Sequence, residues 1–414
     1  MSRGERSTPG GVGRWVTLTV GCALVLQSAG AIAGAADAAG DRIQQEAPAP
    51  VQRYLDSVQA LEAEGGAWAA ALQQELLGLG LVYQQQGRHA EAVAALSRAE
   101  HITRINEGLY SRADLPVLER LIESHAALGD WEKVQNRYRQ VFVIYRRNYG
   151  DNDERLVPVL NRLSAWHMRA YLDGIGKDPV QHLLSARQFY DSAVTILETN
   201  HGPQERRIAE ALRRRALVDY YVAGQAPLVR ESTGFGSEQN EQMAIQAQIA
   251  NSFASGRDAL RRAADLLDRD TTSNPLERSE ALAELADWHQ LFARRQSALR
   301  LYQEAWAHGE RSGSEAAQIR DVVFGKPRPL PLLPADISAV PMPHDDTGWI
   351  SVRFSVNENG RASGMQVLES SPPASEREVQ RLRRRISTTT FRPRFENGQP
   401  VATENVDYQY SYTP

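Results

Sequence analysis

The chain has 414 residues, more than one compact core usually accommodates, so two or three structural units are expected. Hydrophobic residues make up 42% of it and charged residues 24%, a composition typical of folded soluble proteins and not of disordered ones. The formal net charge of −4 gives no reason to expect nucleic acid as a partner, because nucleic-acid-binding proteins usually present a basic surface.

Residues 1–38 have the order of a secretory signal peptide: a basic start, an apolar stretch and then small residues. Cleavage near residues 33–39 would remove Cys22, the only cysteine, and leave an exported chain without disulfides. In the alternative interpretation residues 15–36 remain as an inner-membrane anchor, because their length is near the ~20 residues that cross a bilayer. We therefore expect a periplasmic protein that contacts a membrane only if this segment is retained.

Residues 39–66 are predicted to form a flexible tail followed by a short helix. The tail, which ends near residue 50, is rich in Ala, Gly and Pro, whereas residues 51–64 have helical spacing. This helix is expected to shield the beginning of the repeats that follow.

From residue 67 to residue 312 the apolar pattern repeats with the period of stacked helical hairpins. The leading helix of the first copy ends at Gly87 and that of the second at Gly129, which is 42 positions later (129 − 87). A third copy begins in phase, since residues 157–163 answer residues 115–121. The pattern resembles the tetratricopeptide repeat (TPR), in the longer-period form of kinesin light chains. This resemblance implies an α-solenoid that binds proteins.

Helix boundaries follow from local signals. Asp114 is predicted to cap the helix that begins at Leu115, because its side chain accepts hydrogen bonds from the free amides of a first turn. Residues 225–240 are predicted to be a loop. Trp166, Trp288 and Trp306 are expected to fill the space between helices. The predicted helices include 68–86, 89–105, 115–128, 131–147, 179–198, 206–222, 241–268, 276–292 and 296–309.

Three repeat residues are candidates for partner contacts. Stacked hairpins make a concave groove that binds extended or helical peptides, and Tyr83, His125 and His167 have the register to face it. The two histidines share one position of successive repeats, but they lack a third ligand at helical spacing. A groove or core histidine is therefore favoured, and no metal is predicted.

Residues 313–344 are predicted to be a proline-rich linker. Six prolines between residues 326 and 343 favour an extended and stiff chain. The leucines among them are expected to pack partly on a neighbouring element.

Residues 345–414 change to the alternating pattern of strands. Residues 350–356 alternate apolar and polar side chains, and Asn359-Gly360 is a strong hairpin signal. A helix is predicted over residues 375–386 and a third strand over 391–395. The last strand follows, with its core side formed by Val406, Tyr408, Tyr410 and Tyr412. The order is β-β-α-β-β, a small α+β domain after a mostly α array.

This domain resembles the C-terminal domain of TonB-family energy transducers. The chain departs from those proteins in its short proline-rich segment and in Pro343-His344-Asp345, which stands where they have Tyr-Pro. The resemblance implies the fold of the domain and, as partners, TonB-dependent outer-membrane receptors. It is carried by Gly348, Asn359-Gly360, Val367, Ser370-Ser371, Phe391-Arg392-Pro393, Gly398-Gln399-Pro400-Val401 and the Tyr-rich end.

The candidate partner-binding residues of this domain lie on its helix and its last strand. Arg381 and Arg385 belong to a basic cluster that could attract an acidic partner, although a solvated helix face is the simpler interpretation. Val406, Tyr408 and Tyr410 could offer a sheet edge to a peptide strand through main-chain hydrogen bonds. Packing of the same aromatic residues on Ile386 is an equally good interpretation.

The sequence predicts a binding protein and not an enzyme. It contains no Gly-x-Ser-x-Gly, no phosphate-binding Gly-rich loop and no His-Glu-x-x-His, and no cofactor is predicted. The hypothesis is an exported TPR scaffold that binds proteins or peptides in the periplasm, in connection with TonB-dependent transport. The alternative is a TonB-like energy transducer anchored in the inner membrane.

Overall fold

The structure, a computed structural model, describes residues 50–176, 178–225, 237–338 and 348–412. The expected signal peptide and most of the tail lie outside the described residues. The described chain divides into two compact units, one of residues 50–144 and one that begins at residue 145. The predicted fold class, a mostly α solenoid of TPR-like helical pairs followed by a small α+β region, is confirmed.

The first unit is a run of helices joined by short turns. Consecutive helices pack on each other, and with connections as short as residues 86–88 they run antiparallel. Gly80 lets two of them approach closely, because a Cβ there would lie 2.6 Å from the Leu96 side chain. The helices are α1 Pro50–Gly65, α2 Leu72–Gln85, α3 His89–Glu107, α4 Asp114–Ala127 and α5 Trp131–Tyr149, the last of which continues into the second unit.

The prediction that Asp114 caps the next helix is wrong. Helix α4 begins at Asp114 itself. The side chain of Asp114 is fully buried, and its Oδ2 lies 3.6 Å from the Nε of Arg104. The capping function does occur in the second unit, where the side chain of Asp178 accepts from the Gln181 amide. Asp114 was misassigned because a cap and a buried ion pair both place an acid at a helix start.

The second unit continues the helical pairs. Trp166 and Trp288 fill its interior as predicted, and Trp306 packs at 5.4 Å from the ring of Phe324. The long helix starts inside the predicted loop 225–240. The helices are α6 Leu156–Leu172, α7 Pro179–His201, α8 Arg207–Ala223, α9 Ser237–Arg269, α10 Pro275–Leu291 and α11 Arg295–Glu310.

The segment predicted as a linker begins with helical turns, which lie before the residues 326–343 that were predicted to be extended. A 3-10 turn, Gly313–Glu315, is followed by the short helix α12, Ala316–Ile319, and then by a π-helical turn, Arg320–Phe324. Strand β1, Arg328–Leu330, and a single helical turn α13, Ala335–Ser338, follow. The predicted packing of the leucines is confirmed, because Leu330 is buried and Leu333 is half-buried.

The C-terminal region contains a three-stranded antiparallel sheet covered by one helix. Its strand order is β3-β2-β7, and Leu382 and Ile386 of helix α14 pack on the apolar side chains of β2. Ser375 and Glu378 form a capping box at the start of α14. The bounds are β2 Gly348–Val356, β3 Ala362–Ser371, α14 Glu376–Thr388 and β7 Thr403–Tyr412.

The predicted third strand 391–395 is two short strands. Pro393, which has no amide hydrogen, separates β4, Thr390–Arg392, from β5, Arg394–Glu396. Strand β4 pairs with β1, whereas β5 pairs with β6, Gln399–Val401. The region before the domain therefore contributes a strand to it.

Candidate binding groove

A cavity of about 820 Å³ lies in the second unit between helices α8 and α10 and the residues that follow β1. We call the segment of residues 328–338 the strap, because Pro331, Leu332, Leu333, Pro334 and Ala335 form one wall of this cavity. The helices supply the opposite walls, and their lining residues include Arg213, Leu217, Tyr220, Leu276, Glu280, Glu284, Asp287, Trp288 and Leu291. We call the whole surface the groove.

One wall of the groove is acidic because of helical spacing. Glu280, Glu284 and Asp287 follow one another at four and three positions on α10, so they share one face. Arg213 of α8 pairs with both oxygens of Glu284, and the Nε–Oε2 distance is 2.5 Å. Arg328 of the strap donates to Glu280 at 3.0 Å.

Arg392 is the central charge of this cluster. It is fully buried, and its Nε and Nη2 donate to the two oxygens of Asp287 at 2.9 and 2.5 Å. It also donates to both oxygens of Glu280 at 3.2 Å. The hydroxyl of Tyr302 donates to Asp287 at 2.6 Å. Strand β4 is thereby fastened to helices α10 and α11.

The arginines determine the charge of the acidic wall. Burial opposes ionisation of Glu280, but Arg392 and Arg328 outweigh it and hold the pKa of Glu280 below its usual value. Burial raises the pKa of Glu284, and Arg213 only partly offsets this. Glu280 is therefore held as a carboxylate by arginines that come from the strap and from β4.

The strap is held at its two ends. At its start, β1 pairs with β4, and the hydroxyl of Tyr408 donates to the carbonyl of Pro327 at 2.6 Å. At its end, Ile337 has no exposed surface and packs in a cluster with α6 and α8 residues such as Met168 and Val218. An extended segment of the chain thus already lies along the helices that wall the groove.

Two of the candidate residues lie in the first unit. Tyr83 is half-buried on α2, with the guanidinium of Arg88 4.5 Å from its ring centre. His125 is buried on α4, and its Nδ1 lies 3.4 Å from an oxygen of Asp130. Burial lowers the pKa of His125, so the neutral imidazole is favoured.

His167 lies in the second unit, on α6. Its Nδ1 is 2.9 Å from the Nδ1 of His182, a separation that requires a shared proton between the two rings. Burial lowers the pKa of His182. The structure therefore gives each of the two predicted histidines a local partner of its own, in a separate unit.

Some of the candidate partner-binding residues of the C-terminal region lie on its surface, and others lie in its core. Arg381 is exposed and Arg385 half-buried on α14. Val406 and Tyr410 are buried in the sheet core, and Tyr408 stacks on Phe354 with ring centres 5.7 Å apart. The candidate side chains of β7 thus pack inward, whereas the exposed side chains of this edge strand are polar ones such as Asp407 and Gln409.

The sequence analysis did not identify the residues that build the groove. Phe391-Arg392-Pro393 was noted for its resemblance, although nothing in it indicated that Arg392 is buried. The spacing of Glu280, Glu284 and Asp287 was a usable signal, because three acids on one face of a helix that packs against others need counter-charges.

No helix among the described residues is long and apolar enough to cross a membrane. No group of three or more His, Cys, Asp or Glu side chains suited to a metal ion occurs among those residues.

Comparison with known proteins gives similarity of structure only. No protein-family model matches the sequence, and no curated protein matches it. A kinesin light chain from Podosopora anserina with nearly identical TPR-like repeats has 15% identity and a TM-score of 0.39, and the match covers 59% of this chain and 99% of that one. BtubC (BKLC) from P. vanneervenii has 14% identity and a TM-score of 0.37, with 71% and 97% covered. Similarity at this level does not indicate what the present chain binds.

Proposed function

We propose that this protein is an exported scaffold that binds protein or peptide partners in its helical groove. The observation that carries the proposal is the cavity between α8, α10 and the strap, in which helix faces lie opposite an extended segment of chain. Stacked helical pairs bind peptides in this manner along their concave side. Apolar side chains such as Leu217 and Tyr220 provide burial, and the acidic wall provides orientation.

The charged residues of the groove support binding and not catalysis. Glu284 is paired with Arg213, and Glu280 and Asp287 are paired with Arg392. Glu280 is a poor general base, because its arginines hold its pKa below the usual value, and the two oxygens of Glu284 are both occupied by Arg213. We therefore assign the groove no reaction and no cofactor.

Location in the periplasm is part of the proposal and is supported by the order of residues 1–38. Sequencing of the N-terminus of the protein isolated from its host tests it. A mature chain that begins near residues 33–39 agrees with an exported scaffold. A retained N-terminus favours the alternative, an anchored TonB-like transducer.

A link to TonB-dependent transport is the finer part of the proposal. It is supported by the order of two strands, helix α14 and further strands, and by β3, an edge strand on which Val367 and Leu368 are 39% and 46% exposed. An exposed strand edge can accept a peptide strand from a receptor. A photo-crosslinking amino acid at Leu368 is expected to trap an outer-membrane receptor, and the same group at exposed Arg383 of α14 serves as control.

The groove itself is tested by placing a photo-crosslinking amino acid at Tyr220, which lines the cavity, in cells of the native host. The control position is Gln188, an exposed residue of α7 that does not line it. The proposal predicts discrete crosslinked partners at Tyr220 and none of them at Gln188. The same products at both positions, or none at Tyr220, would contradict it.

A further inference from the structure

The strap is fastened in two different ways along its length. Its first three residues form β1 and belong to the sheet through pairing with β4. From Pro331 onward the side chains described are those of residues 331–335 and 337. Among these the described hydrogen bond is internal, from the Ile337 amide to the Pro334 carbonyl, and no hydrogen bond to α6, α8 or α10 is described.

The second half of the strap is therefore held by burial of apolar side chains. Ile337 is the main anchor, since it has no exposed surface, whereas Leu332 and Leu333 are half-buried. Ile337 belongs to one apolar cluster with residues of three helices, among them Ala165, Leu183 and Leu217. Leu217 also lines the cavity, so the cluster that buries Ile337, which we call the Ile337 pocket, borders the cavity.

A segment whose described contacts with the helices are made by side chains, beside a cavity, is suited to be an exchangeable occupant. A permanent core element is usually close-packed, whereas this segment forms one wall of a cavity of about 820 Å³. Its composition is that of a peptide ligand: Pro331 and Pro334 restrict the backbone before the helical turn α13, and leucines and one isoleucine are the side chains that it buries.

We propose that strap residues 331–338 are an internal ligand of the groove that an external peptide displaces. The external ligand is a segment rich in leucine and proline that ends in one helical turn, like α13, and places an aliphatic side chain in the Ile337 pocket. This inference rests on the proposed function and specifies the partner of the same groove. Residues 328–330 stay in place during the exchange, because β1 and the contact of Arg328 with Glu280 hold them.

While the strap occupies the groove, an external peptide cannot bind there. The apparent association constant of the external peptide is therefore its intrinsic association constant multiplied by the fraction of molecules in which the strap has left the groove. Shortening a fully buried isoleucine to alanine weakens the internal contact by about 30-fold. The variant Ile337→Ala should therefore bind an external peptide more tightly than the wild-type chain.

The test uses a fluorescent synthetic peptide with the sequence of residues 329–338 and the full chain. Anisotropy titration is expected to give a dissociation constant about tenfold or more lower for Ile337→Ala than for wild type. Leu333→Ala, which shortens a half-buried strap residue, should change affinity in the same direction by less. Gln188→Ala, at the exposed α7 residue that does not line the cavity, is the control and should stay within about twofold of wild type.

A second peptide, with Asp in place of the residue equivalent to Ile337, should bind none of the chains, because a carboxylate is costly in an apolar pocket. Circular dichroism of each variant confirms that it is folded. Equal affinity of wild type and folded Ile337→Ala, or binding of the peptide to neither, overturns the inference. If crosslinks at Tyr220 persist in that case, the groove still binds partners and only its internal ligand has been refuted.

Discussion

At the residue scale, buried charges in the second unit depend on their partners. Arg392 has no exposed surface and is bound by Asp287 and Glu280 of α10. A buried ion pair adds little net stability compared with an apolar pair of the same shape, but removal of one partner leaves an uncompensated buried charge.

We predict that Arg392→Met lowers the free energy of unfolding by about 3–5 kcal/mol, since it leaves the buried carboxylate of Asp287 without its arginine and leaves Glu280 with Arg328 alone. The matched control is Arg394→Met, two residues later, where the arginine is partly exposed and pairs with an exposed Glu396. That change should cost less than about 1 kcal/mol. Urea denaturation followed by circular dichroism measures both. Equal losses would mean that the buried cluster does not fasten β4 to α10.

A second residue-scale prediction concerns Asp114 in the first unit. Burial raises the pKa of Asp114 from 3.8 to about 6, although Arg104 partly opposes this. The folded state therefore takes up a proton at higher pH than the unfolded state. The preferential protonation of Asp114 in the folded state stabilises that state. This contribution to the free energy of unfolding is complete below pH 3.8 and is lost as the pH rises through about 6.

Asp114→Asn should remove that dependence. The difference in unfolding free energy between pH 5 and pH 8 should become smaller by about 1 kcal/mol than in wild type. Urea midpoints at the two pH values measure it, with Asp56→Asn at an exposed position of α1 as control. The same pH dependence in Asp114→Asn and wild type would show that this carboxyl titrates normally.

At the scale of elements, helix pairs need small residues where they cross. A Cβ at Gly256 of α9 would lie 2.3 Å from the ring of Trp288, which is buried on α10 and cannot move aside. Alanine normally favours a helix over glycine by about 1 kcal/mol. Here the contact opposes that preference.

We predict that Gly256→Ala destabilises the chain by about 1–3 kcal/mol despite the gain in helix propensity. Gly224→Ala is the control, because a Cβ there would meet its nearest atom at an ordinary 3.4 Å. Thermal unfolding compares the two. A raised melting temperature for Gly256→Ala would show that α9 and α10 are further apart than described.

Helices, strands and turns were predictable from the sequence wherever a single local pattern determines their type and position. The 42-residue period, the alternation of β2 and the Asn359-Gly360 hairpin were each local, and each is present. The strand 391–395 was predicted as one element, although Pro393 is a local signal for the division that the structure shows. The pairing of β4 with β1, which is 62 positions earlier (390 − 328), was indicated by no local pattern.

The groove was not predictable for the same reason. Its charges come from α8, α10, the strap and β4, and only the three-dimensional fold brings these together. The partner residues chosen from the sequence, such as Tyr408, were aromatic or basic residues with a regular spacing. The structure places the Tyr408 hydroxyl on the backbone of Pro327, where it holds the beginning of the strap.

At the scale of the whole molecule, the C-terminal region and the last helices of the second unit are parts of one compact unit. A chain that ends at Phe324 loses Arg392 and the Ile337 anchor together. Its melting temperature should fall by several degrees, because α10 keeps buried acids without counter-charges. Unchanged melting of helices in calorimetry, relative to the full chain, would show that the C-terminal region is independent of them.

The central claim is that the groove exchanges its own strap for an external peptide. Methyl NMR of the full chain with labelled isoleucines tests it directly, and Ile337→Val identifies the resonance of Ile337. Addition of the unlabelled peptide of residues 329–338 should move that resonance to the position of a solvent-exposed isoleucine. The resonance of Ile350, equally buried in the sheet core, should not move. An Ile337 signal that stays in place while the peptide binds would contradict the account.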